Sequence, residues 1–181
     1  MDATTLIASL QAGVPGARVE SAPSVDLQTT IYVSRDEWPA LARLLRDEPD
    51  LRFDFLAELT AVDFWPRAPR FELVCVLVSL QHRARLRVKV QLNADDAHVG
   101  SVIAVWPAAN WLEREVWDLF GIVFDGHPDL RRLLMPEDWD GHPLRKDYPV
   151  QIRMAARTAE PLQVTEAQFR ASVEHDRLSR R

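Results

Sequence analysis

The chain has a single cysteine, Cys75, six glycines, and no apolar run longer than Leu73–Val78. One thiol excludes an internal disulfide framework and a zinc site built mainly from cysteines. It also excludes an ordinary iron–sulfur cluster held by this chain alone, since such clusters take about four ligands, mostly thiolates. The scarce glycines form neither GxGxxG nor a Walker phosphate loop, and GxSxG is absent, so nucleotide cradles and nucleophile elbows have no sequence basis. The longest apolar run is far short of the roughly 20 residues that a membrane span requires. Met1–Ala12 has Asp2, no basic flank and no long apolar stretch. It does not read as a secretory signal, and the cytoplasm is the expected compartment. The net charge of −5 argues against nucleic acid as the main partner.

What is present is an ordinary globular mix, 181 residues with 47% hydrophobic and 27% charged. That length suits one domain with an appended segment. Residues 2–12 suit a short helix ended by Gly13 and Pro15. Short strands are expected at Arg18–Glu20 and Thr29–Val33. Ser34 with Glu37 three residues later has the form of a capping box. The helix that follows, to about Asp47, puts Trp38, Leu41, Leu44 and Leu45 on one face. Phe53–Phe64 reads as a strand, Pro66 and Pro69 bracket a loop, and Phe71–Leu80 is apolar enough for a central, doubly covered strand. The next strand alternates cleanly: Ala84, Leu86, Val88, Val90 and Leu92 face one way, Arg83, Arg85, Arg87 and Lys89 the other. Charge runs of this kind are usually solvated faces, and a protein partner is the other reading. A helical region spans about Ser101–Phe120, broken near Pro107, with Asn110 and Glu113 placed as a second capping box and Gly121 as its left-handed stop. The expected fold class is α/β, an α+β two-layer arrangement. A small mixed sheet is covered by helices within residues 1–124, and an extended strap and tail follow.

From Asp125 the chain changes character. It reads DGHPDLRRLLMPEDWDGHPLRKDYPV, dense in Gly, Pro, Asp and His and without sustained periodicity. Asp125-Gly126-His127-Pro128 and Asp140-Gly141-His142-Pro143 nearly repeat. Such a segment, 125–150, cannot make a core of its own and must lie on something. The remainder, 151–181, is a basic tail with six arginines against four acids. An extension of that kind usually orders by docking.

Three constellations could carry chemistry. Glu113, Arg114, Glu115 and Asp118 lie within two helical turns, and a carboxylate pair can act as general acid and base. Helix-neighbour carboxylates are common, and the simpler reading is an ion-paired helix face. His127 and His142 could join a carboxylate around a metal, but neither HxH nor HExxH spacing occurs. Each histidine precedes a proline in a turn, where its imidazole suits backbone hydrogen bonding. Cys75, mid-strand in an apolar run, reads as a small buried hydrophobe.

The stretch from Asn110 to Pro149 nevertheless resembles a known family. Glu113-Arg114-Glu115, two residues, Asp118-Leu119-Phe120, six residues, His127, three residues, Arg131, then Leu133-Leu134 is similar to a signature found in proton-pumping NADH:quinone oxidoreductase, respiratory complex I. The signature is that of the subunit designated C, the family of mitochondrial NADH dehydrogenase iron–sulfur protein 3. Gly141-His142-Pro143-Leu144-Arg145-Lys146-Asp147-Tyr148-Pro149 resembles the C-terminal motif of the same family. The resemblance implies a peripheral-arm subunit on the cytoplasmic side of the bacterial membrane, its membrane contact indirect. It would bind no cofactor itself, while the complex uses FMN, iron–sulfur clusters, NADH and quinone. Its implied partners are the large quinone-site subunit and neighbouring cluster-bearing subunits. Its implied role is to support electron transfer without catalytic residues of its own. Related quinone-reducing dehydrogenases and membrane-bound hydrogenases carry equivalent subunits, which is the alternative reading. The partner-interface candidates are Glu113, Arg114, Glu115, Asp118, His127, Arg131, Trp139, His142, Arg145, Lys146, Asp147 and Tyr148.

Overall fold

A computed structural model describes residues 3–149. Helix α1, Ala3–Gly13, leads to strands β1 (Val19–Ser21) and β2 (Thr30–Val33), then helix α2 (Trp38–Asp47). Three long strands follow, β3 (Phe55–Asp63), β4 (Phe71–Ser79) and β5 (Ala84–Leu92). Short β6 (His98–Gly100), helix α3 (Ala109–Phe120) and short β7 (Val123–Asp125) complete the elements. The main sheet has the order β1-β2-β5-β4-β3, and β6 pairs with β7 in a second, two-stranded sheet. β2 runs parallel to β5, while the other pairs of the main sheet are antiparallel. The mixed sheet and helical layer expected from the sequence are therefore present.

The period-two pattern of β5 decides which face is the core. Leu86, Val88, Val90 and Leu92 are buried, in register with Leu77, Cys75, Leu73 and Phe71 of β4. Leu59 and Ala61 of β3 and Ile31 and Val33 of β2 continue the same surface. Leu6 and Leu10 of α1, Trp38, Leu41 and Leu45 of α2, and Val116 and Phe120 of α3 join them in one cluster. All three described helices thus serve one sheet face. Trp38 stacks on Trp106, ring centres 6.3 Å apart, and Trp106 Nε1 donates to the Phe53 carbonyl at 3.0 Å.

Several local expectations are corrected. Ser34 does not cap α2. The chain makes a turn over 35–37 and Glu37 takes the cap position, without a side-chain cap bond. The proline at the first turn, Pro39, supplies the fixed φ that a helix start tolerates. β4 is interior but not doubly covered: Val74, Val76 and Val78 are only half-buried, because no described helix lies on their side. α3 begins at Ala109 with Ala108 as cap, so Asn110 is inside the helix. β6 went unread in the sequence; three residues without alternation leave no signal.

Candidate interaction site at the end of the third helix

α3 carries charges where its apolar stripe should be. Glu113 and Asp118 are fully buried and Arg114 is nearly so. Each is compensated by the chain that follows or precedes the helix. Glu113 turns back rather than capping its own helix. Its Oε2 accepts the Ser101 hydroxyl at 2.6 Å and its Oε1 accepts the Val102 N–H at 2.8 Å. Burial pushes its carboxyl up to about 7, only partly opposed by those two bonds. Arg114 donates to the carbonyls of Arg131 (3.1 Å) and Arg132 (3.0 Å) and lies 5.1 Å over the Trp111 ring.

Asp118 is the centre of the arrangement. Its Oδ1 accepts Arg132 Nη1 at 2.7 Å. Its Oδ2 accepts three successive backbone N–H groups, Leu133 at 3.0 Å, Leu134 at 2.8 Å and Met135 at 2.9 Å. Burial pushes the carboxyl up, but the three N–H groups and the guanidinium outweigh it and hold Asp118 below the usual carboxylate range. Arg132 in turn donates Nη2 to the carbonyls of Trp139 (2.7 Å) and Gly141 (3.1 Å).

The same strap closes the C-terminal end of α3. A helix leaves its last four carbonyls without partners inside the helix. Here Trp117 O accepts the Gly121 N–H at 2.8 Å, and Asp118 O accepts His142 Nδ1 at 3.0 Å. Leu119 O accepts the Leu144 N–H at 3.0 Å, and Phe120 O accepts Arg145 Nε. All four are satisfied, and the guanidinium of Arg145 sits against the negative end of the helix dipole. Gly121 is the pivot. Its φ is +72°, and a Cβ there would stand 2.5 Å from the His142 imidazole and 2.6 Å from Arg145 Nη2.

The last turn of the strap is tied to the sheet. Arg70 pairs with Asp63 through Nε (3.0 Å) and Nη2 (2.8 Å), and with Asp147 through Nη1 (3.0 Å) and Nη2 (2.6 Å). Asp63 also accepts the backbone N–H of Lys146 at 2.8 Å and of Trp65 at 2.9 Å. Burial alone would raise Asp63, yet Arg70 and the two N–H groups bring it down to about 2.

The candidates therefore divide. Arg114, Asp118, His142, Arg145 and Asp147 are brought together in the clasp between α3, the sheet and the strap. Trp139 offers its carbonyl to Arg132, and the Tyr148 hydroxyl donates to the Asp140 carbonyl at 3.0 Å. His127 stands at the start of the strap: Nε2 donates to the Asn110 carbonyl at 3.2 Å, and Nδ1 accepts the Asp129 N–H at 3.1 Å. Glu113 faces the Ser101 turn instead. Arg131 points outward and pairs with Asp129 at 2.9 Å, both exposed. The Lys146 side chain is exposed, and Glu115 is half-buried with no ion-pair partner among the described residues. Sequence reasoning missed Arg132, Asp63 and Arg70. In an aperiodic segment nothing separates Arg132 from Arg131, and Asp63 and Arg70 lie far away in sequence. The tail, 151–181, lies outside the described residues.

Among the described residues no group of three or more His, Cys, Asp or Glu side chains is arranged to hold a metal ion. Cys75 is buried, and burial raises its thiol well above the usual range.

Comparison with known proteins matches the chain to one family. A family model described as the 30 kDa subunit of respiratory-chain NADH dehydrogenase matches residues 31–153. The corresponding NADH-quinone oxidoreductase subunit of Roseiflexus sp. (strain RS-1) is 46% identical over 159 residues, 87% of this chain and 90% of that protein. Its counterpart in Saccharopolyspora erythraea is 48% identical over 145 residues, covering 80% of this chain but 58% of that longer protein. Among solved structures, a trypsin-resistant fragment of Nqo5 superposes with a TM-score of 0.55 at 32% identity, over 72% of this chain and all of the fragment. A chain of an archaeal respiratory complex, the membrane-bound sulfane sulfur reductase, gives a TM-score of 0.66 at 22% identity, over 90% of this chain and 96% of that chain. That second likeness is one of fold.

Proposed function

The chain belongs to the family of the 30 kDa subunit of respiratory-chain NADH dehydrogenase, and on that premise we propose that it is a non-redox scaffold subunit of the peripheral arm of a proton-translocating NADH:quinone oxidoreductase. It binds the large quinone-site subunit and adjoins cluster-bearing subunits. It supports electron transfer from NADH to quinone without a cofactor or catalytic residue of its own. FMN, the iron–sulfur clusters and the NADH and quinone sites belong to its neighbours. It sits on the cytoplasmic side of the membrane and meets the bilayer only through partners.

The observation that carries this reading is the way the strap is held. Its inner side is taken up by α3 and the sheet, through Asp118, Arg132, Arg145 and Asp147. Its outer side leaves Leu134 and Leu144 60% and 49% exposed, and Lys146 is exposed as well. A segment fixed in this way has lost its ordering entropy before a partner arrives, so more of the contact energy appears as affinity. Exposed apolar side chains on a segment that is already fixed suit the apolar core of a contact surface. Arg131, Lys146 and Glu115, not used within the chain's own clasp, are the charges available to a partner, and the tail 151–181 extends the contact.

A tag on this chain, followed by gentle purification from membranes, tests the reading. Recovery of the large quinone-site subunit with cluster-bearing subunits and an NADH-oxidising module is the expected result. Recovery of the tagged chain alone would overturn it.

A further inference from the structure

The strap contains two Asp–Gly bonds, and the fold treats them differently. Asp125-Gly126 and Asp140-Gly141 open the two near-repeated His-Pro turns. Before glycine, an aspartate side chain is open to attack by the next backbone nitrogen, because no Cβ blocks the approach. Bond formation between that nitrogen and Cγ closes a succinimide ring. The Cγ–Oδ bond breaks, and the oxygen leaves as water with the amide proton and a second proton from a donor. Water then reopens the ring. Opening at Cγ restores aspartate. Opening at the main-chain carbonyl gives isoaspartate, in which the chain runs through Cβ and Cγ.

Asp125 is the last residue of β7, its side chain 56% exposed, and Gly126 is exposed beyond the ladder. The Gly126 N–H donates to no backbone carbonyl among the described residues, and nothing lies within 4 Å of where its Cβ would be. The peptide plane between the two residues has room to turn against a single backbone bond, from the Ser101 N–H to the Asp125 carbonyl at 2.9 Å. The departing oxygen also has a proton donor. His98 Nδ1 lies 2.6 Å from Asp125 Oδ2. Asp96 Oδ1, 2.9 Å from His98 Nε2, holds the ring from the other side, and Arg35 holds Asp96 at 2.7 Å. A proton on the atom that must depart, carried by a ring that a third group orients, is the arrangement of a general acid.

Asp140-Gly141 has none of this. The Asp140 carboxylate has no hydrogen-bond partner among the described residues. The Asp140 carbonyl accepts the Tyr148 hydroxyl at 3.0 Å, and the Gly141 carbonyl accepts Arg132 Nη2 at 3.1 Å. A Cβ on Gly141 would stand 2.8 Å from Tyr148 Cε2, so this peptide plane is packed as well as bonded. We propose that Asp125 is a site of isoaspartate formation, with His98 supplying the proton to the departing oxygen, and that the clasp holds Asp140 unreactive. Isoaspartate at 125 adds one backbone atom between β7 and the strap. It also leaves a free α-carboxylate there, the group that an isoaspartyl carboxyl methyltransferase esterifies.

Incubation of the purified full chain at physiological temperature and pH tests this, with peptide mapping by electron-transfer fragmentation to tell isoaspartate from aspartate. Isoaspartate is expected to accumulate at position 125 about tenfold faster than at 140, a smaller gain than an acid placed in an active site supplies. His98→Ala and, separately, His98→Gln should each slow the reaction at 125 by a similar factor. In urea the two bonds should react alike, since both sit in the sequence Asp-Gly-His-Pro. Equal rates at 125 and 140 in the folded chain, or isoaspartate at neither, would overturn the proposal. So would an unchanged or raised rate at 125 in both His98 variants. Unequal rates in urea would trace the difference to local sequence rather than to the fold, and would overturn it too.

Discussion

Arg132 reaches Asp118 at 2.7 Å with Nη1 while its Nη2 holds the carbonyls of Trp139 and Gly141. One guanidinium therefore joins the end of α3 to two carbonyls seven and nine residues further along the strap. Its planar fork makes this possible; an ammonium carries its donors on a single atom. Asp118→Ala is expected to destabilise the full chain by about 3–5 kcal/mol, since it strands a largely buried cation. Arg132→Lys should recover little of the wild-type stability. Arg131→Ala, at an exposed ion pair, should fall within about 0.5 kcal/mol of wild type. Denaturant titration of the three variants checks the ranking. Equal losses at positions 131 and 132 would refute the role given to Arg132.

Asp63 gives the fold an acid limit. Its folded-state value of about 2 lies below the ordinary 3.8. The unfolded chain therefore binds the proton more readily, and stability falls as pH drops from about 4 through 2. The stabilisation present above that window is about 2 kcal/mol. Asp63→Asn should flatten the dependence there, as read from unfolding midpoints between pH 5 and 2.

Glu113 acts with the opposite sign. Burial raises its folded value from 4.5 to about 7, so the folded chain holds a proton that the unfolded chain releases. Stability is fully present below about 4.5 and declines as pH rises to 7. Glu113→Gln keeps a neutral side chain of the same shape and should remove that decline. The variant should be the more stable of the two above pH 7. An unchanged slope between pH 4.5 and 7 would show that Glu113 is ionised in the fold.

Two glycines with similar backbones separate strain from contact. Gly126 has φ +82° with nothing within 4 Å of a Cβ, whereas Gly121 at +72° meets His142 and Arg145. Gly126→Ala should cost about 1 kcal/mol of left-handed backbone strain. Gly121→Ala adds displacement of the strap and should cost clearly more. Limited proteolysis should then cut the 126–148 segment in Gly121→Ala and spare it in Gly126→Ala.

Glu115 tests the partner surface apart from the fold. It has no ion-pair partner among the described residues, so Glu115→Ala should leave the unfolding midpoint of the chain within about 0.5 kcal/mol of wild type. Recovery of the complex through a tag on the chain should fall. Arg145→Ala should instead lower both, because Arg145 caps α3.

The sequence alone determined the layers and the family. The alternation of β5, the stripe of α2 and the left-handed stop at Gly121 are local, and each appears in the fold as spacing and sterics require. The motif from Glu113 to Pro149 marked the region that turns out to be clasped. What only the tertiary structure decided is which charge meets which. Ser34 and Asn110 had the local chemistry of caps, yet the turn before Trp38 and the bend at Ser101–Val102 placed the helix starts elsewhere, and Glu113 closed the bend instead. Arg132 rather than Arg131 became the tie, and Asp63 and Arg70 reached Lys146 and Asp147 across about eighty positions. An aperiodic strap has no repeat from which side-chain direction can be read. Its partners are fixed by unpaired carbonyls at a helix end and by buried carboxylates that must find donors, and those demands exist only once the helix and sheet have met.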